Sequence, residues 1–257
     1  MTITEALIAG VVQGLTEFLP VSSSGHLVLV HRFFGLTESN IFFDICLHVG
    51  TLIAILLYLG RYIFSLVREK RFDWLLYIAV GTVPAVIVAL LFEKKISLVF
   101  LSPKKVAFMF IITALALFLG QFCQVKSVRV AKGPTALTSL LVGICQAFAL
   151  LPGISRSGMT ISAGLLGKMD AENSFRFSFL LAVPAIIGAL LYKALKIDLS
   201  AVVLGDLGSY VAGMTAAFAI GLLSLVFLWR VLRTKRLFIF GIYCLLLGVV
   251  GIIFWEW

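Results

Sequence analysis

Charge is scarce in this sequence. Of its 257 residues only 13% are Asp, Glu, Lys or Arg, against about 25% in an ordinary soluble domain. That shortage excludes a soluble globular enzyme. It equally excludes a disordered chain, which stays unfolded because it is polar and charged. Cysteine is scarce too: Cys46, Cys123, Cys145 and Cys244 are scattered, with no C-x-x-C spacing. A disulfide-rich module and a zinc or redox pattern are therefore excluded, and the four thiols read as small apolar residues. The apolar/polar alternation that a membrane β-barrel requires is missing. The net charge of +9 is not laid out as a basic stripe interleaved with aromatics, so no nucleic-acid partner is expected. The opening MTITEALIAG has Glu5 where Lys or Arg would stand, so no cleavable signal peptide is expected.

What is abundant is apolar sequence. Ala, Val, Ile, Leu, Met, Phe, Trp, Tyr and Cys make up 61% of the chain, and the mean hydropathy is +1.13. A helix needs about 20 apolar residues to cross the hydrocarbon of a bilayer. Six segments meet that need: Ile41–Val67, Phe72–Phe92, Val106–Phe122, Ser174–Leu195, Ser209–Leu228 and Leu237–Trp257. Two further regions, Thr4–Phe34 and Thr135–Gly167, are apolar at both ends and broken by PVSSSGH and PGISRSG. Proline stops a helix, and Ser and Gly favour turns and caps. Both regions read as re-entrant helical hairpins, because non-helical backbone at membrane depth must be covered by protein or a watery cavity.

The two broken regions resemble each other. A shift of 133 residues pairs Gly10 with Gly143, Gln13 with Gln146, Ser22 with Ser155, Ser24 with Ser157 and Gly25 with Gly158. The expected architecture is an all-α polytopic membrane protein, one domain over 1–257, with six transmembrane helices and two re-entrant hairpins. It divides into repeats of approximately 1–125 and 134–257. Three crossings per unit invert the second repeat, the plan of secondary transporters with a site between broken helices. The cation clusters at 61–71, 126–132, 168–176 and 230–236 fall on one side and outnumber those at 32, 94–95, 104–105 and 193–196 on the other. The richer side is expected to be cytoplasmic, which puts both termini outside and lets the two hairpin tips meet.

Ionisable groups at membrane depth are expensive and tend to be functional. Glu17 and His26 flank the first break, and Arg156 sits in the second. Gln13 and Glu17, four apart, share a helix face. The hydroxyls of Ser22, Ser23, Ser24, Ser155 and Ser157, the positive ends of the half-helices and the planar guanidinium of Arg156 together suit an anion, phosphate best. A carboxylate beside phosphate serves as a general base or as a ligand for a divalent cation, so Glu17 is the candidate metal ligand. His26 is open as base, acid or nucleophile. Asp44 and His48, also four apart, are supporting candidates that line the cavity or brace the site. An inverted-repeat transporter for an anion, or a flippase for a phosphorylated lipid, is the alternative, since fold does not settle function.

At these residues the chain resembles a known family. QGLTEFLPVSSSGH followed by PGISRSGMT, with FFDICLHVGT between them, is similar to the undecaprenyl-pyrophosphate phosphatase family of the BacA type over nearly the whole chain. The resemblance implies hydrolysis of the terminal phosphate of a C55 lipid pyrophosphate at the outer face of a prokaryotic cell membrane. That reaction recycles the carrier for cell-wall synthesis. It also implies dependence on a divalent cation, Mg or Ca, and roles for Gln13, Glu17, Ser23 and His26 in the first motif and Ser155, Arg156 and Thr160 in the second. Some members carry Glu where Gln13 stands here; an amide is the poorer metal ligand, so Glu17 holds the carboxylate role alone. The expected mechanism has Ser23 as nucleophile, activated by Glu17 and His26, with Arg156, Ser22, Ser155, Ser157, Thr160 and the turn N–H groups on the phosphoryl oxygens. His26 as nucleophile, or as activator of water, is the competing assignment. The partners expected are the polyprenyl pyrophosphate substrate, membrane lipid and, as an open option, a second copy of the chain.

Overall fold

The computed structural model describes residues 1–33, 41–100, 102–126, 133–195 and 206–254, with the side chains of 29–33 left aside. Ten helices lie among the described residues: α1 Ile3–Phe18, α2 Ser23–Phe33, α3 Ile41–Arg68, α4 Phe72–Phe100, α5 Pro103–Lys126, α6 Ala136–Phe148, α7 Arg156–Leu166, α8 Ala171–Ala194, α9 Leu207–Arg233 and α10 Phe238–Phe254. Five of them, α3, α4, α5, α8 and α9, are long and apolar enough to cross a membrane. The protein is an all-α polytopic membrane protein.

Local chemistry sets the helix starts. Thr2 caps α1, accepting from Glu5 N–H at 3.2 Å while Glu5 Oε2 accepts from Thr2 N–H at 2.9 Å. This reciprocal capping box satisfies two otherwise orphaned donors. Asp170 caps α8 by accepting from Asn173 N–H at 2.8 Å, which starts that helix before the expected Ser174. At the other end α4 runs through Glu93, Lys94 and Lys95 to Phe100, beyond the expected Phe92. Long charged side chains do not break a helix; they extend to the headgroups from its end. The expected span Leu237–Trp257 is observed as the 17-residue α10, and residues 255–257 lie outside the described residues. So do Phe34 of the first broken region and the expected cations Arg129, Lys132 and Lys196, as does the side chain of Arg32.

The outer faces are apolar, as lipid requires: Leu57, Phe64, Leu90, Leu91 and Phe254 are all exposed. Only Trp74, Gly81 and Ala85 of α4 are buried. Inside, helices approach closely where side chains are small. α1 packs on α9 and α6 on α4. A Cβ on Gly10 would overlap the carbonyl oxygen of Gly213, and one on Gly143 would overlap that of Gly81. The core between them is aromatic and aliphatic, with Phe18, Phe110, Phe177, Phe179 and Leu117 fully buried.

The helix breaks meet in this core. Gly153 N–H donates to Ser22 Oγ at 3.1 Å and Ser157 Oγ donates to Leu19 O at 3.3 Å. The ring of Pro20 lies against Gly158.

Candidate active site

Glu17 occupies the last turn of α1, with its side chain 8% exposed. A carboxylate so placed must be paired or it would not stay ionised. Three groups satisfy it. Arg156 Nη2 donates to Oε1 at 2.8 Å, Ser23 Oγ donates to Oε2 at 2.7 Å, and Gln13 Nε2 donates to Oε2 at 3.2 Å. The first two partners are the opening residues of α2 and α7, so each half-helix starts at this carboxylate. Arg156 is further braced by the ring of Phe179, its Cζ lying 5.7 Å from the centroid. Two polar atoms here are buried without a partner, Arg156 Nη1 and Gln13 Oε1.

The geometry of the breaks explains why these side chains converge. Ser22 has φ +69° and Gly153 φ +92°, both in the left-handed region. A non-glycine residue held there costs about 1–3 kcal/mol and persists only where its surroundings over-determine it. For Ser22 the surroundings are five hydrogen bonds, one of them with Ser24 Oγ at 3.4 Å. Its Oγ accepts from Gly153 N–H at 3.1 Å and Gly25 N–H at 3.4 Å, and its carbonyl accepts from His26 N–H at 3.2 Å and bonds His26 Nδ1 at 2.8 Å. At Gly153 only glycine fits, since an added Cβ would also meet Val106 O. Thr113 of α5 staples this loop: its hydroxyl donates to Gly153 O at 2.9 Å and accepts from Ser155 N–H at 3.0 Å.

The other expected phosphate-binding hydroxyls are buried and committed to the protein. Ser22, Ser155, Ser157 and Thr160 are at most 3% exposed. Ser155 caps α7 by accepting from Gly158 N–H at 3.1 Å and lies 3.2 Å from Ser157 Oγ. Thr160 donates to Arg156 O at 2.8 Å and bonds Ser178 Oγ at 2.6 Å. In this arrangement they shape the turn that presents Arg156, and the accessible hydroxyl beside Glu17 is that of Ser23.

His26 stands on α2 but makes no hydrogen bond to Ser23, which differs from the expected activating contact. Both ring nitrogens are engaged, Nδ1 with Ser22 O at 2.8 Å and Nε2 with the Tyr243 hydroxyl at 2.7 Å. A carbonyl oxygen only accepts, so Nδ1 carries a proton, and when the ring is neutral Nε2 accepts from the Tyr243 hydroxyl. Tyr243 also stacks on the imidazole, 5.8 Å between centroids at 10°. Nothing in the apolar run of α10 singled this tyrosine out. Thr113 was readable in principle, as a buried polar residue inside an apolar helix. Of the supporting pair, Asp44 Oδ2 takes an ion pair from Lys193 at 3.4 Å and His48 Nδ1 bonds Asp44 O at 2.8 Å. Asp44 Oδ1 is buried with no partner. Neither residue bonds the Glu17 carboxylate.

A resident metal finds little here. Among the described residues no three of His, Cys, Asp and Glu come together, and Glu17 is already paired with a guanidinium. The unpartnered Gln13 Oε1 beside Glu17 fits one edge of a hard cation whose remaining ligands are phosphate oxygens and water, the way Mg is commonly held.

An all-α membrane protein whose two broken helices join a carboxylate, a hydroxyl and a guanidinium belongs to the class of integral-membrane proteins that handle phosphate. The chain matches the family described as bacitracin resistance protein BacA over residues 6–250. It is 38% identical to the undecaprenyl-diphosphatase of Moorella thermoacetica over 265 aligned residues, covering 99% of each chain. It is 39% identical to that of Carboxydothermus hydrogenoformans, covering 95% of this chain and 94% of the relative. With that of Methanosphaera stadtmanae it shares 37% identity over 98% of each. The chain belongs to the BacA family.

Proposed function

We propose that this protein is an undecaprenyl-diphosphatase, removing the terminal phosphate of a C55 polyprenyl diphosphate held in the membrane. The observation that carries the reading is the three-way junction at Glu17, with a serine hydroxyl 2.7 Å from one carboxylate oxygen and a guanidinium 2.8 Å from the other. The names of the relatives supply the lipid. A pure anion transporter needs the guanidinium but has no use for a serine held against a base, so the transport reading is not favoured.

In the proposed reaction Glu17 takes the Ser23 proton as Oγ attacks the terminal phosphorus. A Ser–O–P bond forms, the anhydride P–O bond breaks, and the polyprenyl monophosphate departs. Water then attacks the phosphoserine. Its O–P bond to Ser23 breaks, Ser23 recovers a proton from Glu17, inorganic phosphate leaves with the water oxygen, and the remaining proton passes to solvent. Arg156 turns from Glu17 to the phosphoryl oxygens, with Nη1 as its spare donor, and neutralises charge that grows in the transition state. Ser155, Ser157 and Thr160 hold the turn that aims it. His26 keeps its place through Ser22 and Tyr243; as nucleophile it would first have to release the tyrosine hydroxyl. Glu17 and Gln13 would hold a divalent cation, Mg or Ca, whose chemistry there would be to offset phosphate charge.

The wider placement is part of the same proposal. Residues 1–125 and 134–257 are read as two inverted repeats, supported by the matched glycine contacts of α1 with α9 and α6 with α4. The cation-rich helix ends are read as cytoplasmic. That sets both termini and the opening of the site toward the outer face of the cell membrane, where released carrier re-enters cell-wall synthesis.

The test is phosphate release from undecaprenyl pyrophosphate by the purified protein, with Mg, with Ca and with chelator, alongside Glu17→Ala and Arg156→Ala. Release by the native protein, lost in both variants, is expected. No release by folded native protein under any condition would replace this reading with the transporter.

A further inference from the structure

A second convergence of charge and aromatic rings lies away from this site. Tyr58, Arg61 and Tyr62 of α3, Glu172 and Arg176 of α8 and Trp229 of α9 line an open cavity of about 420 Å³. Its position is set by the helix ends. Arg61 lies seven residues before the end of α3, Arg176 five after the start of α8, and Trp229 four before the end of α9. At 1.5 Å per residue this is roughly 6–10 Å inside the cation-rich face. That is headgroup depth, where Tyr and Trp rings settle.

The charges inside favour an anion. Arg61 has no ion-pair partner among the described residues. Arg176 stands over the Tyr62 ring at 4.1 Å and pairs with Glu172 one turn away. The Glu172 side chain is 50% exposed, and an exposed pair at this spacing holds its partners only weakly. An incoming dianion competes with so weak a pair, and Arg61 and Arg176 line the same cavity, offering two guanidinium forks of the kind that suits phosphate. The cavity is separate from the Glu17 site. Phe175 closes its inner wall and packs on Phe179 at 4.7 Å, and Arg156 lies against Phe179, 5.7 Å from its centroid.

We propose that this cavity is a phosphate-binding site, taking a phosphate group presented either by an anionic lipid headgroup or as free inorganic phosphate. It does not depend on the phosphatase reading. The test uses the full chain in detergent carrying Arg156→Ala, so that the Glu17 site has lost its cation. Dioleoyl phosphatidic acid, inorganic phosphate and, as zwitterionic control, dioleoyl phosphatidylcholine are titrated, and melting temperature and retained lipid are measured. Saturable binding of phosphatidic acid that Arg61→Gln weakens about tenfold, a loss of about 1.4 kcal/mol, supports the site with a lipid source. The same sensitivity for inorganic phosphate supports it with the free ion. Arg176→Gln should weaken binding at least as much; should it fail to fold, Arg61→Gln carries the test, because Arg61 is exposed and holds nothing in place. Three results would overturn the proposal: no binding of either phosphate probe, binding unchanged by Arg61→Gln, or an equal loss on Arg68→Gln at the nearby helix end, which would mean surface charge alone.

Discussion

The break between α1 and α2 and the break between α6 and α7 stand at corresponding places in the chain, yet they do different work. The first is short, Leu19 to Ser22, and leaves Glu17 on a helix and Ser23 at the start of the next. The second is longer. α6 ends at Phe148 and the chain descends through tight turns, Ala149 N–H to Gln146 O and Leu150 N–H to Ala147 O, so Leu150, the counterpart of Glu17, lies off the helix. Ser23 and Arg156 are counterparts under the 133-residue shift, and both reach the same carboxylate. One break supplies a carboxylate and a hydroxyl. The other supplies a cation and the buried hydroxyls that aim it. The two breaks thus bring complementary groups to one carboxylate, a division that suits the proposed phosphate site, where both kinds of group are needed at once.

The comparison breaks most completely at the group both halves share. Glu17→Ala leaves the part-buried Arg156 without its carboxylate, a loss of up to about 3–5 kcal/mol, the cost for a fully buried pair, and removes the proposed base. Phosphate release is expected to fall by about a thousandfold or more, with a lower melting temperature; turnover within tenfold of native would contradict the account. Gly153→Ala attacks the second half through its backbone. The left-handed φ and the overlap with Val106 O predict a destabilisation of about 3 kcal/mol, read as a loss of folded protein on heating, while the matching change at Gly60, which faces open space, should be mild.

Smaller changes sharpen the division of labour. Tyr243→Phe removes the hydroxyl on His26 Nε2 but keeps the stacked ring. A single hydrogen bond of about 1 kcal/mol predicts a change in kcat of up to about tenfold with KM little altered, whereas a thousandfold loss would make His26 the nucleophile's equal. Gln13→Glu puts a second carboxylate beside Glu17 in the same half. The expected outcome is a modest change in native-level activity with a steeper dependence on added Mg or Ca, measured by titration from chelated protein.

Much of this was legible before any coordinates. The apolar runs located α3, α5, α8 and α9, because a long apolar run without strand-like alternation satisfies its backbone within a bilayer only as a helix. The Ser- and Gly-rich breaks pointed to the groups that meet at Glu17, since polar residues inside apolar sequence are hard to explain otherwise. Three things were not legible. The Tyr243 partner of His26 lies 217 residues away in a run with no polar pattern. The burial of Ser22, Ser155, Ser157 and Thr160 could not be told from exposure, because composition shows a hydroxyl but not what it bonds. The extra length of α4 was hidden by Glu93, Lys94 and Lys95, which mark the membrane edge without ending a helix.

The central claim is that Ser23 and Arg156, from opposite halves, act on one phosphate. Single-turnover phosphate release from undecaprenyl pyrophosphate, measured for the native chain, Ser23→Ala, Arg156→Ala and the double variant, tests it directly. Residues that act as one unit are strongly non-additive. The account predicts that each single change costs about a thousandfold and that the double variant is scarcely worse than the poorer single. Losses that multiply across the two positions, or robust turnover by Ser23→Ala, would contradict it.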